Sequence, residues 1–395
     1  MPHPTVTGAR RSQVFWTATG LIALDTILFT MVVPALPEFA ERDGFGTSVA
    51  ALIFAAFPIA QLISALIAAG LVERIGRRPV TIAAVVLLLL ATLAFAAARG
   101  APSLAGARAA QGAAAGLVWT AGMACIADVY PRDQLGLRMG LAETAGGATG
   151  LLGPVLGGLL IEIFGVEEAF LFIAIIPAVA IVPALFMPET RHADTQPPPP
   201  LTRSLAILMR VPRAWVAAVS LGLFAAALAL LEPLLPLDLA DRLGLGSLAV
   251  GMVFGAGLAA YYLAMPFAGR WSDRHGRRAP LVVGALIMAA SLPFVSVGPA
   301  WLVAAAFAVA GVGMACVSAP SGPLMVEAVD ETELAGNYGV SGAVLTALFA
   351  IGYAIGPLMG AGASLVLPFP ATMTIAAGLA LIAGIWTARL LPRRT

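Results

Sequence analysis

The chain has 395 residues, 60% of them hydrophobic and only 11% charged, with a formal net charge of +1 at pH 7 and a mean hydropathy of +0.95. Soluble domains carry about a quarter charged residues, so this composition excludes a soluble protein, and no nucleic-acid partner is expected. Cys125 and Cys316 are isolated thiols in apolar stretches, which implies neither a disulfide framework nor a metal site.

Long apolar stretches follow one another from end to end, each able to cross about 30 Å of hydrocarbon as a helix. Twelve are predicted, at 14–37, 48–70, 80–98, 102–129, 136–163 and 168–187, then at 213–238, 247–269, 280–297, 300–328, 335–366 and 369–391. The fourth, fifth, tenth and eleventh are longer than the bilayer requires. Met1 to Arg11 is too short and polar for a cleaved signal sequence, and the run after Val14 is of spanning length, so the first span is retained. The Pro-rich stretch Pro197 to Pro200 reads as a solvated linker. The expected division is an N-terminal bundle over 1–188, a cytoplasmic linker over 189–210 and a C-terminal bundle over 211–395.

Three signatures occur twice. Pro34 and Pro37 return as Pro233 and Pro236, the loop from Glu73 to Arg78 as Asp273 to Arg278, and Gly153-Pro154-x-x-Gly157 as Gly356-Pro357-x-x-Gly360, at offsets of 199, 200 and 203 residues. Near-constant spacing across unrelated motifs means that the first half was copied whole. The expected fold is an all-α membrane protein of twelve transmembrane helices in two pseudo-symmetric six-helix bundles.

All 22 basic residues are arginine. With the N-terminus inside, eighteen face the cytoplasm: Arg10, Arg11, Arg74, Arg77, Arg78, Arg132, Arg138, Arg191, Arg203, Arg210, Arg213, Arg270, Arg274, Arg277, Arg278, Arg389, Arg393 and Arg394. Only Arg42, Arg99 and Arg242 face out, and Arg108 falls within the membrane. The positive-inside rule then places both termini in the cytoplasm.

Parallel six-helix repeats characterise the major facilitator transporters, and the sequence resembles that superfamily over its full length. Its G-x-x-x-D-R-x-G-R-R loop is matched in full by Gly269 to Arg278, whereas the first copy has Ala69 and Glu73 in place of glycine and aspartate. The resemblance implies a gating role for Glu73, Arg74, Gly76, Arg77, Asp273, Arg274, Gly276 and Arg277. Asp128 and Glu327 are the expected partners in a charge network joining the halves; a plain positive-inside loop would explain the arginines but not the acids and glycines. Arg108-Ala109-Ala110-Gln111-Gly112 looks like the R-x-x-Q-G motif of proton-coupled members. An arginine there needs a carboxylate, a helix-end carbonyl or a water-filled cavity, and a structural ion pair that positions the fourth helix is the alternative. Gly146 to Gly158 resembles the motif of the antiporter branch. Glycines permit close backbone approach and proline bends a helix, so Gly153, Pro154, Gly356 and Pro357 read as rocking contacts or as plain packing.

Asp25 lies nine residues before Pro34, about 14 Å of helix rise, near the bilayer centre, and Glu232 directly precedes Pro233. A buried carboxylate can take up a proton that a bound cation displaces, which is a mechanism for antiport; capping or packing hydrogen bonds are the alternative. Glu143 could line an inner vestibule or pair with Arg138. His3, His192 and His275 fall in predicted loops and are not expected to relay protons.

Leu24 to Pro34, Leu230 to Pro236 and Gly352 to Pro357 resemble the vesicular monoamine transporters and their bacterial relatives. The resemblance implies that Asp25 recognises an amine or proton, that Glu232 contributes to a cation site, and that Tyr261 and Tyr353 are cavity aromatics. This chain departs by placing Phe57 where that family has a lysine, and Ser318 and Thr346 where it has acids. The bacterial multidrug branch, with a larger and less polar cavity, is therefore the better guide. It implies a proton-coupled antiporter that exports lipophilic, cationic drugs or amines across a bacterial cytoplasmic membrane. Asp25, Glu232 and Arg108 would handle the charge, with Thr26, Phe57, Gln61, Trp119, Tyr261, Tyr262, Ser318, Thr346 and Tyr353 lining the cavity. The proton gradient would supply the energy without a cofactor, and a monomer surrounded by lipid is expected. Rivals are an uptake symporter or facilitator for a defined metabolite, which would need more polar specificity groups, and a non-transporting receptor, which would need no mid-membrane acids. No phosphate-cradling loop or catalytic spacing suggests an enzyme.

Overall fold

The structure is a computed structural model that describes residues 8–191, 201–335 and 338–391. His3, His192, the Pro197 to Pro200 stretch, Arg393 and Arg394 lie outside the described residues, as does the side chain of Arg132. In chain order the helices are α1 (Gly8–Met31), α2 (Leu36–Asp43), α3 (Thr47–Ile75), α4 (Arg77–Ala97), α5 (Ala101–Val129), α6 (Arg132–Phe164), α7 (Val166–Ile173) and α8 (Ile175–Phe186). They continue as α9 (Leu201–Leu208), α10 (Pro212–Leu243), α11 (Ser247–His275), α12 (Arg278–Ser291), α13 (Ala300–Ser318), α14 (Ser321–Asp330), α15 (Tyr338–Ala363) and α16 (Phe369–Leu390). Twelve stretches are long and apolar enough to cross a membrane. Every expected span has its counterpart, and the chain is an integral membrane protein.

Proline placement explains where the helices depart from the expected spans. The first was expected to run through Pro34, but α1 stops at Met31 and the chain turns before α2. Pro34 has no N–H to continue the ladder and its ring crowds the carbonyl four residues back, and the preceding Val32 and Val33 are stiff, weak helix formers. In the second copy the same proline pair follows Leu231 and Glu232, and α10 continues through both Pro233 and Pro236. The sixth span divides at Ala174, ahead of Pro177, and the tenth at Ala319–Pro320. The ninth ends in a 3-10 turn, Leu292–Ser296, that contains Pro293.

The helices gather into two compact units, Met1–Phe45 with Ala56–Thr195 and Gly46–Ala55 with Gln196–Thr395. Within the first, α1 packs along α6 and α4 along α5; within the second, α10 packs along α15 and α11 along α13. Small residues set these approaches. A Cβ on Gly157 would lie 2.8 Å from the Met31 carbonyl oxygen, and one on Gly356 would lie 2.9 Å from the Leu230 nitrogen and nearer still to the Ala226 carbonyl. Outward surfaces carry apolar side chains such as Phe186, 74% exposed, and Leu263, 70% exposed, as lipid contact requires.

Candidate functional site

The break after Met31 leaves the last carbonyls of α1 without intrahelical donors. Val33 N–H bonds the Thr30 oxygen instead of that of Phe29, and the Phe29 carbonyl accepts from Arg108 Nη1 at 3.1 Å. A cation suits the negative end of a helix. Arg108 is wholly buried; the same nitrogen donates to Gln111 Oε1 at 2.7 Å, one turn along α5. Its guanidinium lies 4.6 Å from the Phe29 ring centre and 5.0 Å from that of Phe57, a cation–π arrangement. A second cation at position 57 would stand against the first, so the phenyl ring fits Arg108 as lysine would not.

Asp25, one turn before Phe29, is 2% exposed. Trp119 Nε1 donates to its Oδ2 at 3.1 Å. Asp25 Oδ1 is buried and has no hydrogen-bond partner among the described residues. Eleven residues separate Arg108 from Trp119, three turns of helix, so one face of α5 serves both.

In the second unit, Glu232 is 4% exposed and accepts from the Tyr353 hydroxyl. From Tyr353 a row of aromatic rings leads onward: Phe349 at 5.2 Å, Phe224 at a further 6.2 Å, Tyr261 stacked on Phe224 at 4.8 Å, and Tyr262 edge-on to Tyr261 at 4.9 Å. Tyr261 OH and Ser318 Oγ are 3.2 Å apart, and Ser318 also reaches Met265 Sδ at 3.4 Å. Phe224 and Glu232 are eight residues apart on α10 and share a face.

The duplicated loops are charge networks. Arg77 Nε donates to Asp128 at 2.8 Å, Nη2 to Glu73 at 2.8 Å and Nη1 to the Val72 carbonyl at 3.0 Å. In the second copy Arg277 donates to Asp273 at 2.5 Å, Glu327 at 3.1 Å and Ser272 at 3.1 Å. Asp128 and Glu327 do pair with the loop arginines, but each bond lies within one unit and not, as expected, between the halves. Glu189, which sequence reasoning passed over, accepts from the backbone N–H groups of Arg77, Arg78, Thr190 and Arg191. Burial opposes its ionisation, but these donors outweigh burial and hold the carboxyl below its usual range. A Cβ on Gly76 would lie 2.8 Å from Glu189 Cδ, and Gly76 has φ +102°, so both space and backbone demand glycine.

At the arginine-poor end of the first unit, Arg42 pairs with Asp43 at 2.8 Å and Glu167 at 3.2 Å, and Arg99 pairs with Glu167 at 2.8 Å. The Arg42 hydrogen bond holds the Asp43 carboxyl below the usual range. Arg242, 200 residues after Arg42, pairs with Asp238 at 2.8 Å and donates to the Gly298 carbonyl at 2.6 Å. Glu41 to Gly46 and Asp241 to Gly246 are a fourth repeated string, which the constant offset would have revealed.

Other expected residues bond locally or stand at the edge of these clusters. Thr26 bonds the Ile22 carbonyl of its own helix at 2.9 Å, Thr346 is exposed and bonds that of Gly342 at 2.9 Å, and Gln61 is half-buried on α3. Tyr262 is 36% exposed. Arg138 stacks over Tyr130 at 4.6 Å and Phe15 at 5.4 Å instead of pairing with Glu143, since five residues along a helix bring side chains to different faces. Among the described residues no three His, Cys, Asp or Glu side chains could hold a metal ion.

The model of the Major Facilitator Superfamily matches residues 18–232 and 217–395. The synaptic vesicular amine transporter of Homo sapiens is 30% identical over 331 residues, 82% of this chain and 63% of that protein. That of Mus musculus is 29% identical over 358 residues, 89% of this chain and 68% of that protein. This chain therefore spans about two thirds of the length of these relatives. Multidrug resistance protein D of Escherichia coli (strain K12) is 28% identical over 264 residues, 64% of each chain. The fold is similar to that of a bacterial homologue of the human lysosomal transporter Spinster, with TM-score 0.72, 16% identity and coverage of 98% and 95%. With its duplicated six-span halves and these relatives, the chain belongs to the Major Facilitator Superfamily and is a membrane transporter, not an enzyme.

Proposed function

We propose that the chain is a proton-coupled antiporter that exports lipophilic cations or amines across a bacterial cytoplasmic membrane by alternating access. The observation that carries this reading is Asp25: a mid-helix carboxyl, 2% exposed, with one oxygen on Trp119 and the other buried without a hydrogen-bond partner among the described residues. A charge desolvated to that degree is costly unless something neutralises it. A proton on Oδ1 or an organic cation beside it would do so, and the two compete for one site. Glu232 with its row of rings is the second carboxylate site, where aromatic faces favour a delocalised cation over a hydrated one. The similarity to vesicular amine transporters and to multidrug resistance protein D supports the substrate class.

The test is proton release by purified protein in weak buffer when ethidium or tetraphenylphosphonium is added. The parent is expected to release protons in proportion to bound cation, and Asp25→Asn or Glu232→Gln to bring release close to background. Tight binding without release, unchanged by both substitutions, would leave a facilitator or a differently coupled transporter.

A further inference from the structure

Between α12 and α16 a groove of about 280 Å³ opens on the outer surface of the second unit. Its walls include Val282, Leu286, Leu381 and Ile385. Leu286 is 49% exposed, Ile385 48% and the adjoining Ile382 63%, so this surface faces lipid. Two arginines also line it: Arg278, which opens α12, and Arg389, in the last turn of α16. Among the described residues neither guanidinium has a hydrogen-bond or ion-pair partner, although the adjacent Arg277 is held by Asp273, Glu327 and Ser272.

The first copy shows what the second lacks. There Arg78 donates to the Leu185 carbonyl at the end of α8 at 2.6 Å, and the N–H groups of Arg77 and Arg78 are capped by the Glu189 carboxylate. Aligning Pro188 with Pro392 puts Arg389 opposite Leu185 and Arg393 opposite Glu189. At the aligned sequence position the acid is exchanged for arginine, and no described side chain accepts from the N–H groups of Arg277 and Arg278.

We propose that this groove binds one anionic phospholipid, with its phosphate on Arg278 and Arg389 and an acyl chain along the apolar wall. Guanidinium pairs match phosphate oxygens in geometry and charge, and basic pockets between membrane helices select anionic headgroups. The lipid phosphate takes the place that Glu189 fills in the first copy.

Native mass spectrometry of the full-length protein, released from detergent with phosphatidylglycerol or phosphatidylcholine of identical chains, tests this. One phosphatidylglycerol should be retained in preference to phosphatidylcholine. Arg278→Gln with Arg389→Gln should lower its bound fraction about tenfold, and the exposed-site variant Arg389→Gln alone by a smaller factor, with Arg270→Gln as a neutral control. Ala388→Phe, which fills the groove and keeps both arginines, should also expel it. Thermal unfolding in lipid-free detergent reports whether each variant folds; should the double variant not fold, Arg389→Gln alone decides. Equal retention of the two lipids, or a phosphatidylglycerol adduct indifferent to the arginine substitutions, overturns the proposal. Equal competition by chain-free glycerophosphoglycerol overturns it too, because it would reduce the site to a phosphate contact without the groove.

Discussion

Glu189 is held by four backbone N–H groups at distances of 2.8 to 3.1 Å, so its role depends on charge. Its carboxyl is held below the usual range, and a depressed carboxylate contributes stability that is present above its unfolded value, about 4.3, and lost as the pH falls through the folded one. Glu189→Gln keeps the shape and surrenders the charge. The expected cost at pH 7 is about 1 kcal/mol, less than the usual worth of a charge-assisted hydrogen bond because the group is exposed and screened. Unfolding midpoints of parent and variant in detergent should converge as the pH falls below about 4; a constant gap would mean that the carboxylate charge is not what the N–H groups bind. Single residues were legible in the sequence where an ionisable group sits in an apolar run, as with Asp25, Arg108 and Glu232. Phe224 and Phe349 escaped notice because a phenylalanine in a hydrophobic span is unremarkable by composition, though Phe349 and Tyr353 are spaced one turn apart as a helical aromatic pair would be. Glu189 escaped because its partners are backbone groups, which a sequence does not display.

At the level of elements, hydropathy revealed every span, whereas proline decided where several of them break, and its effect depends on the residues before it. That is why Pro34 ends α1 and Pro233 does not end α10. The glycines of the repeated Gly-Pro-x-x-Gly string do similar work in both copies but against different neighbours. A Cβ on Gly153 meets the Thr30 hydroxyl first and the Ile27 carbonyl at 2.9 Å, whereas one on Gly356 meets only main-chain atoms, of Ala226 and Leu230. Each substitution by alanine should cost about 1–3 kcal/mol through forced separation of the helices. Gly153→Ala should recover part of that loss when combined with Thr30→Ala, which removes the nearest clashing atom. Gly356→Ala has no side chain whose trimming relieves it, so Leu230→Ala should add to its cost. Unfolding of the single and double variants separates these outcomes, and additive losses in the Gly153 and Thr30 pair would show that the helices part instead of accommodating locally.

For the whole molecule, duplication supplied two similar units whose ends then diverged in charge. Arg42, Arg99 and Arg242, the three arginines of the sparse end, are all ion-paired, while the rich end keeps Arg278 and Arg389 for a ligand. The arginine asymmetry predicts that the rich end faces the cytoplasm, and this sets the leaflet from which the α12–α16 groove draws its lipid. Cys125 is fully buried and Cys316 is 6% exposed, so the parent thiols form a quiet background for labelling. Gly46, at the sparse end, has open space around it and His275, at the rich end, is exposed, so both positions accept cysteine without strain. In intact cells a membrane-impermeant maleimide should label Gly46→Cys and leave His275→Cys unlabelled until the membrane is opened. The reverse pattern would turn the molecule over. The inward proton gradient would still drive the cation outward, but the lipid phosphate would have to come from the outer leaflet.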